Sequence, residues 1–386
     1  MVDGRFVYLD HQATTPLDPR VLEAMRPFLE GVYGNPSSKH AFGCKAAAAV
    51  EEARAHVAAL INAQPEEIVF TSSATEANNL ALLGSLLARS ETCGRIVSTP
   101  VEHPSVLAPL EFLRHKGYRV EFVRVDHEGR VDIEHLRDLM TDDTVLVSTM
   151  AANNEIATVM PLHEISEIVA NSNALWHVDA SQYVGRLPLD VARLEVDFLS
   201  FSAHKFYGPK GAGALYIKRG LRSLMQPILW GGGQESGLRS GTTNVPAVVG
   251  FGEAARIWRL EGVSEIGRLE VKRKQLWEGL SQRLTDIVMV GSREHRLPGC
   301  MAVAIPGADA DVLIPALPDV AISAGSACSS GALGPSHVLK AIGLDYDLAA
   351  STVRLSVGRF TAEDDIQYAI SRLVSAIEKI REYSYG

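Results

Sequence analysis

The chain has 386 residues, 46% of them hydrophobic and 22% charged, and a formal net charge of −9. This is the composition of an ordinary globular protein, long enough for one large core and a second, smaller one. The acidic balance argues against a nucleic-acid-binding surface, no apolar run approaches membrane-span length, and the start M-V-D-G-R-F-V-Y-L-D lacks the pattern of a signal peptide.

From about residue 45 the pattern alternates helix and strand. Lys45 to Ile61 puts Val50, Ala53, Val57 and Leu60 on one helical stripe. Ile68-Val69-Phe70 has strand length, Thr75 to Leu87 reads as a helix, and Arg95 to Thr99 as a strand. Val120 to Val125, Thr144 to Met150, Leu175 to Val178 and Phe198 to Phe201 are further short runs rich in β-branched and aromatic residues, most of them separated by helical segments. Buried strands alternating with helices predict an α/β class with a mostly parallel sheet covered on both faces. The pattern changes near residue 250. Ile266, Leu269, Leu276, Leu280 and Leu284 predict a long helix with one apolar face, followed by a strand at Met301 to Ile305 and a last helix from Glu363 to Tyr383. A large domain over 15–255 and a smaller α+β domain made of 1–14 and 256–386 are expected.

Four stretches carry candidate chemistry. In F-T-S-S-A-T-E-A-N-N, Phe70 to Asn79, small hydroxyl residues follow a strand and open a helix, with Thr75 the expected N-cap and Glu76 in the first turn. A helix start suits a phosphate, although capping alone also explains the pattern. In W-H-V-D-A-S-Q, Trp176 to Gln182, Asp179 ends a buried strand, at the sheet edge where α/β proteins place ligands. It suits a protonated ring nitrogen, or equally a structural carboxylate bonded to loop amides. In S-F-S-A-H-K-F-Y-G-P-K-G-A-G, Ser200 to Gly213, another strand ends in a loop carrying Ser202, His204 and Lys205. A lysine near apolar groups suits Schiff-base formation, with Ser202 and His204 as anion donors. The Gly-rich loop Trp230 to Asn244 carries one Arg and several hydroxyls and matches neither the P-loop nor the dinucleotide fingerprint. An imine lysine, an acid and an anion site together point to pyridoxal phosphate. Asp179 and Lys205 are 26 residues apart (205 − 179), about one βαβ unit, so adjacent strand ends are expected.

Cys44, Cys93, Cys300 and Cys328 form no C-x-x-C pair, which predicts free thiols in a reducing compartment and a cytoplasmic location. Cys300 precedes a strand and is expected to be buried. Cys328 lies in S-A-G-S-A-C-S-S-G, Ser323 to Gly331, where nothing beside the thiol is bulky enough to shield it.

Over nearly its whole length the chain resembles the cysteine desulfurases of the NifS/IscS type, in the class V aminotransferase superfamily. The resemblance rests on Y-L-D-H-Q-A-T-T-P (Tyr8 to Pro16), G-N-P-S-S (Gly34 to Ser38), T-S-S-A-T-E-A-N-N, V-E-H-P-S-V (Val101 to Val106), N-N-E-I (Asn153 to Ile156), H-V-D-A-S-Q, F-S-A-H-K-F-Y-G-P-K-G, G-G-G-Q-E, R-S-G-T and S-A-C-S-S. It implies the aspartate-aminotransferase-like fold of pyridoxal-phosphate-dependent transferases, with a mostly parallel seven-stranded sheet in the cofactor-binding domain and the Cys328 loop on the smaller one. Lys205 is then the imine lysine and Asp179 the partner of the pyridine nitrogen. Ala74, Thr75, Ser202 and His204 form the phosphate cradle, completed by Thr242 from the neighbouring subunit of a homodimer. His103 stacks on the ring and shuttles protons, and Asn154 and Gln182 sit at the ring hydroxyl. Arg354, helped by Asn35, binds the substrate carboxylate, and Cys328 is the nucleophile. His11, Ala157, Ala203 and Trp230 depart from residues common in the family. The implied activity takes L-cysteine to L-alanine and a persulfide, delivered to an acceptor such as an iron–sulfur scaffold, with no metal, nucleic acid or membrane involved. A selenocysteine lyase, a cystine lyase or an aminotransferase would share Lys205 and Asp179 without needing Cys328. A non-catalytic acceptor-binding protein would need a lost Lys or Cys.

Overall fold

The computed structural model describes residues 5–87, 94–324 and 336–384. In chain order its strands are β1 (Val7–Tyr8), β2 (Ile68–Thr71), β3 (Arg95–Ser98), β4 (Arg119–Phe122), β5 (Thr144–Met150), β6 (Leu175–Asp179), β7 (Phe198–Ser202), β8 (Gly213–Ile217), β9 (Val288–Val290), β10 (Cys300–Ala304), β11 (Val320–Ala321), β12 (Ser323–Ala324) and β13 (Thr352–Ser356). Seven of them form one sheet in the order β2-β8-β7-β6-β5-β3-β4. Within it, β7, β6, β5, β3 and β4 pair parallel, while β8 runs antiparallel to both of its neighbours, β2 and β7. The strands β5 to β8 are buried almost throughout because helices cover both faces of the sheet, which is why they read as continuous apolar runs instead of alternating ones. G-A-L-Y-I at β8 was not anticipated as a strand, since its flanking glycines and Lys218 resemble a loop.

β2, β3, β5, β6 and β7 all end at the same edge of this sheet, and the loops that follow them meet there. One apolar core lies around the sheet and includes Phe70, Val147, Trp176, Phe201 and Phe251. A second gathers Val7, Leu9, Leu313, Leu355 and Ile370 around the antiparallel sheet β12-β13-β10-β9. The helix Val245–Ser281 contributes to both: Val245 to Trp258 pack on the first core, and Leu269, Leu276 and Leu280 on the second. Leu284 is buried just past its end. Ile266 is only half-buried, and Glu265 turns inward instead, because Arg359 Nε lies 2.8 Å from its carboxylate.

The helix after β2 corrects one reading. It spans Ala74–Leu86 and its N-cap is Ser73, not Thr75. Ser73 has extended backbone (φ −169°, ψ 166°) and its side chain accepts from the Glu76 N–H, which leaves Thr75 inside the first turn.

Candidate active site

The loops at the shared sheet edge enclose a cavity of about 220 Å³. Its wall is supplied by Ser73, Ala74 and Thr75 after β2, His103 and Ser105 after β3, Met150, Ala152 and Asn154 after β5, Asp179, Ser181 and Gln182 after β6, and His204 and Lys205 after β7. Asp179 and Lys205 thus come from the adjacent, parallel strands β6 and β7.

Asp179 is 5% exposed. Its Oδ1 accepts from the backbone N–H of Ser181 at 2.9 Å and from the Ser181 hydroxyl. Its Oδ2 accepts from Asn78 Nδ2 at 2.8 Å. Asn78, one turn into the Ala74–Leu86 helix, also donates to Ser105 Oγ at 2.8 Å and so ties three loops together. Lys205 Nζ donates to the carbonyls of Gln12 and Ala13 at 2.9 and 2.8 Å, and Gln182 Nε2 donates to the same Gln12 carbonyl at 3.2 Å. The segment after β1 therefore floors the site.

His103 caps the helix Pro104–His115, its Nδ1 accepting from the Ser105 N–H at 3.1 Å. An amide can only donate, so the neutral ring carries its proton on Nε2. Burial holds its pKa below the ordinary imidazole value, with Lys205 and His337 adding to the effect and Asp179 opposing it. Burial, reinforced by Lys205, brings His204 down to about 4, so this ring is neutral; its Nδ1 is 3.1 Å from Thr14 Oγ1. Behind His103, Glu102 is fully buried, accepts from Thr99 Oγ1 and Met150 N–H at 2.7 Å each, and is pushed up to about 8 by burial.

Of the residues expected at the site, Ala74, Thr75, His103, Asn154, Asp179, Gln182, His204 and Lys205 line this cavity together. Ser202 lies just behind the wall, its hydroxyl donating to the Ala212 carbonyl at 3.1 Å. Arg354, on β13, is 1% exposed and reaches the site through Asn154, whose carbonyl it bonds at 2.7 Å, while Asp10 holds its Nη2 at 2.8 Å. Asn35 and Thr242 are exposed and outside the cavity wall. Cys328 lies outside the described residues. Asn78, Ser105, Ser181 and Glu102 were not singled out from the sequence. All four stand in quoted motifs, Asn78 one helical turn after Ala74, Glu102 and Ser105 on either side of His103, and Ser181 two residues after Asp179, and those spacings were the available signal. Cys300 opens β10 and is buried, as its position before a strand led one to expect.

A seven-stranded α/β sheet with a lysine and a hydrogen-bonded aspartate at one edge, beside a capped helix start, defines a class of cofactor enzymes whose ligand sits at the strand ends. The family model "Aminotransferase class-V" matches residues 7–369. The chain is 44% identical over 385 residues to the mitosomal cysteine desulfurase of Trachipleistophora hominis, covering 98% of this chain and 87% of that protein. It is 45% identical over 379 residues to cysteine desulfurase IscS of Anaeromyxobacter dehalogenans (strain 2CP-C), covering 98% and 94%. A solved structure titled "NIFS-LIKE PROTEIN" superposes with a TM-score of 0.91 at 38% identity, covering 97% of this chain and all of that one (100%). The chain belongs to the class V aminotransferase family, among its cysteine desulfurases.

The residues present fit the pyridoxal phosphate expected in this family. Gln182 Oε1, on the cavity wall, is buried without a partner among the described residues and matches a ring hydroxyl. At Gly213 a Cβ would come within 2.5 Å of the Ser73 backbone, so only glycine lets the Ser73 turn seat against β8 at the helix start. No group of His, Cys, Asp and Glu suited to a metal occurs among the described residues.

Proposed function

We propose that this chain removes sulfur from L-cysteine, releasing L-alanine and leaving the sulfur as a persulfide on Cys328, with pyridoxal phosphate as cofactor. The observation that carries the reading is the meeting of Lys205, Asp179, His103 and the Ala74–Leu86 helix start in one cavity, in a chain of this family. When bound, pyridoxal phosphate supplies a ring that accepts the electrons left at the substrate Cα.

The chain's own groups do the rest. Lys205 would hold the cofactor and, once displaced by the substrate amine, take the Cα proton on Nζ. Asp179, fixed by Asn78 and Ser181, would keep a proton on the ring nitrogen. The free N–H groups at Ala74 and Thr75, with Ser202 and His204, would take the phosphate. Asn154 and Gln182 would face the ring hydroxyl. His103, whose proton sits on Nε2, would enter as a proton donor and then act as a shuttle. Arg354 and Asn35 would bind the substrate carboxylate, a planar anion that suits a guanidinium. The thiolate of Cys328 attacks the substrate sulfur: an S–S bond forms, the Cβ–S bond breaks, and its electron pair stays on the carbon fragment, which is protonated and leaves as alanine.

In this reading residues 15–255 bind the cofactor, and 1–14 with 256–386 carry Cys328. The working form is a homodimer in the cytoplasm, in which the exposed Thr242 reaches the neighbouring subunit's phosphate. The persulfide passes to an acceptor such as an iron–sulfur scaffold protein. Lys205→Ala should abolish alanine formation and the visible absorption band of lysine-bound cofactor. Asp179→Asn should keep bound cofactor yet lose about 100-fold or more in kcat, as expected when a charge-stabilising partner is removed. Full turnover by either variant would overturn the reading.

A further inference from the structure

The Gly-rich loop Trp230 to Asn244 holds Trp230 and Thr242 out to solvent, yet two ion pairs fasten it to β2 and to the helix that follows β2. The first is inside the loop's first half. Arg54 Nη1 and Nη2 lie 2.8 and 2.9 Å from the two oxygens of Glu235, and the Phe70 N–H donates to Glu235 Oε2 at 2.9 Å. The Arg54 and Glu235 side chains are only 11% and 6% exposed, so water screens this pair little. Glu235 and Ser236 both have positive φ, 50° and 57°, a conformation that side-chain-bearing residues keep only where their surroundings hold them. The second pair is in the other half. Arg239 Nε donates to Glu76 Oε1 at 2.7 Å, and Glu76 Oε2 accepts from the Ser72 N–H at 2.8 Å and from the Ser72 hydroxyl. Burial alone would raise the Glu76 carboxyl, but Arg239 and Ser72 outweigh it and hold it below the ordinary carboxylate range. Glu76 is in the first turn of the Ala74–Leu86 helix, and Thr242 is three residues after Arg239 (242 − 239). Bonds such as Gly241 N–H to Gln234 Oε1, 2.9 Å, hold the loop to itself, whereas the two ion pairs hold it to the unit that forms the phosphate cradle. Neither pair has a part in the chemistry described above.

We propose that Arg239 is a positioning residue that acts across the dimer: its pair with Glu76, backed by the Glu235–Arg54 pair, sets Thr242 for the neighbouring subunit's phosphate. Each subunit then retains its cofactor partly through an ion pair it does not itself contain. The inference rests on the reading of a homodimer in which Thr242 crosses to the other site. The direction of the effect follows from what each partner keeps. Without Arg239, Glu76 still accepts both Ser72 bonds and Ser73 still caps the helix, so the subunit's own cradle stays in place. The half of the loop that bears Thr242 loses its charged tie to that helix, and the contact Thr242 makes elsewhere is the one that loosens.

Mixed dimers of the holoenzyme, isolated through two different tags, test this. One chain carries Lys205→Ala, so the visible band of lysine-bound cofactor reports the other chain's site alone. Arg239→Gln is placed either on the Lys205→Ala chain or on the reporting chain, and the decay of the band is followed after free pyridoxal phosphate is removed. With Arg239→Gln on the Lys205→Ala chain, the reporting site receives its Thr242 from the unfastened loop and should lose cofactor about tenfold faster, the scale of one hydrogen bond to a charged group. With Arg239→Gln on the reporting chain, the decay should match that of dimers without the substitution. Both dimers contain the same substitutions, so a general loss of stability would speed both decays alike. An equal loss in the two dimers, a loss only in the second, or no loss in either overturns the proposal. Failure of the homodimer reading shows separately, as a monomer in sedimentation or as an unchanged decay when Thr242→Ala is placed on the Lys205→Ala chain.

Discussion

Among single residues, the buried carboxyls show most clearly how the site is held. Asp179 is surrounded by donors, whereas Glu102, 0% exposed, accepts on one oxygen and leaves Oε2 without a partner among the described residues. Burial pushes Glu102 from 4.5 up to about 8, so at neutral pH the folded chain holds a proton there that the unfolded chain releases. Stability from this group is full below pH 4.5 and is lost as pH rises toward about 8. Glu102→Gln, a neutral isostere, should flatten that decline: the melting temperature of the variant should gain on wild type at pH 8 relative to pH 5. A parallel pH profile for the two proteins would show that Glu102 is ionised in the fold. Much of the site could be read at this scale, since Lys205, Asp179, His103 and Thr75 stand in short motifs at strand ends. Glu102 stands beside His103 in V-E-H-P-S-V, but its importance comes from its depth and from Met150 of a distant strand, which the motif does not show.

Secondary-structure elements were legible wherever burial and period agreed. Thr144–Met150 is a strand with the expected bounds, and the last helix, Glu363–Ser384, ends one residue beyond expectation. The misreadings have physical causes. Ser73, Thr75 and Ser72 are all competent caps, and the choice of Ser73 depends on backbone that is extended at that residue. β8 leaves little strand signal because it is short and flanked by glycines and Lys218, and only its pairing between β2 and β7 reveals it. The approach of β8 to the Ser73 turn makes a prediction. Gly213→Ala brings a Cβ within 2.5 Å of the Ser73 backbone, so the helix start must move. At the usual cost of overpacking, about 1–3 kcal/mol, pyridoxal phosphate binding should weaken by about tenfold or more while the circular dichroism spectrum is retained. Unchanged affinity in a fluorescence titration would mean that the turn does not hold the phosphate.

For the molecule as a whole, the two cores are joined by more than the Val245–Ser281 helix. Arg359, from the chain after β13, bonds Asp18 at 2.7 Å and Glu265 at 2.8 Å and lies over the Tyr207 ring at 4.2 Å. Burial alone would raise the Asp18 carboxyl, but Arg20 and Arg359 outweigh it and hold it at about 2. Arg359→Met should therefore leave two buried carboxylates without their shared cation and cost about 3 kcal/mol, read as a lower denaturant midpoint. A loss within error of zero would show that the strut contributes nothing net. Sequence motifs foretold what gathers at the sheet edge, but not this strut, whose carboxylate partners lie 94 and 341 residues from Arg359.

The central claim is that sulfur leaves cysteine by way of Cys328. The most direct measurement is a single turnover of holoenzyme with L-cysteine in the absence of reductant, comparing alanine formed with the intact mass of the protein. One added sulfur on Cys328 for each alanine, and neither product in Cys328→Ser, is the predicted result. Alanine with free sulfide and an unmodified Cys328, or full turnover by Cys328→Ser, would contradict it.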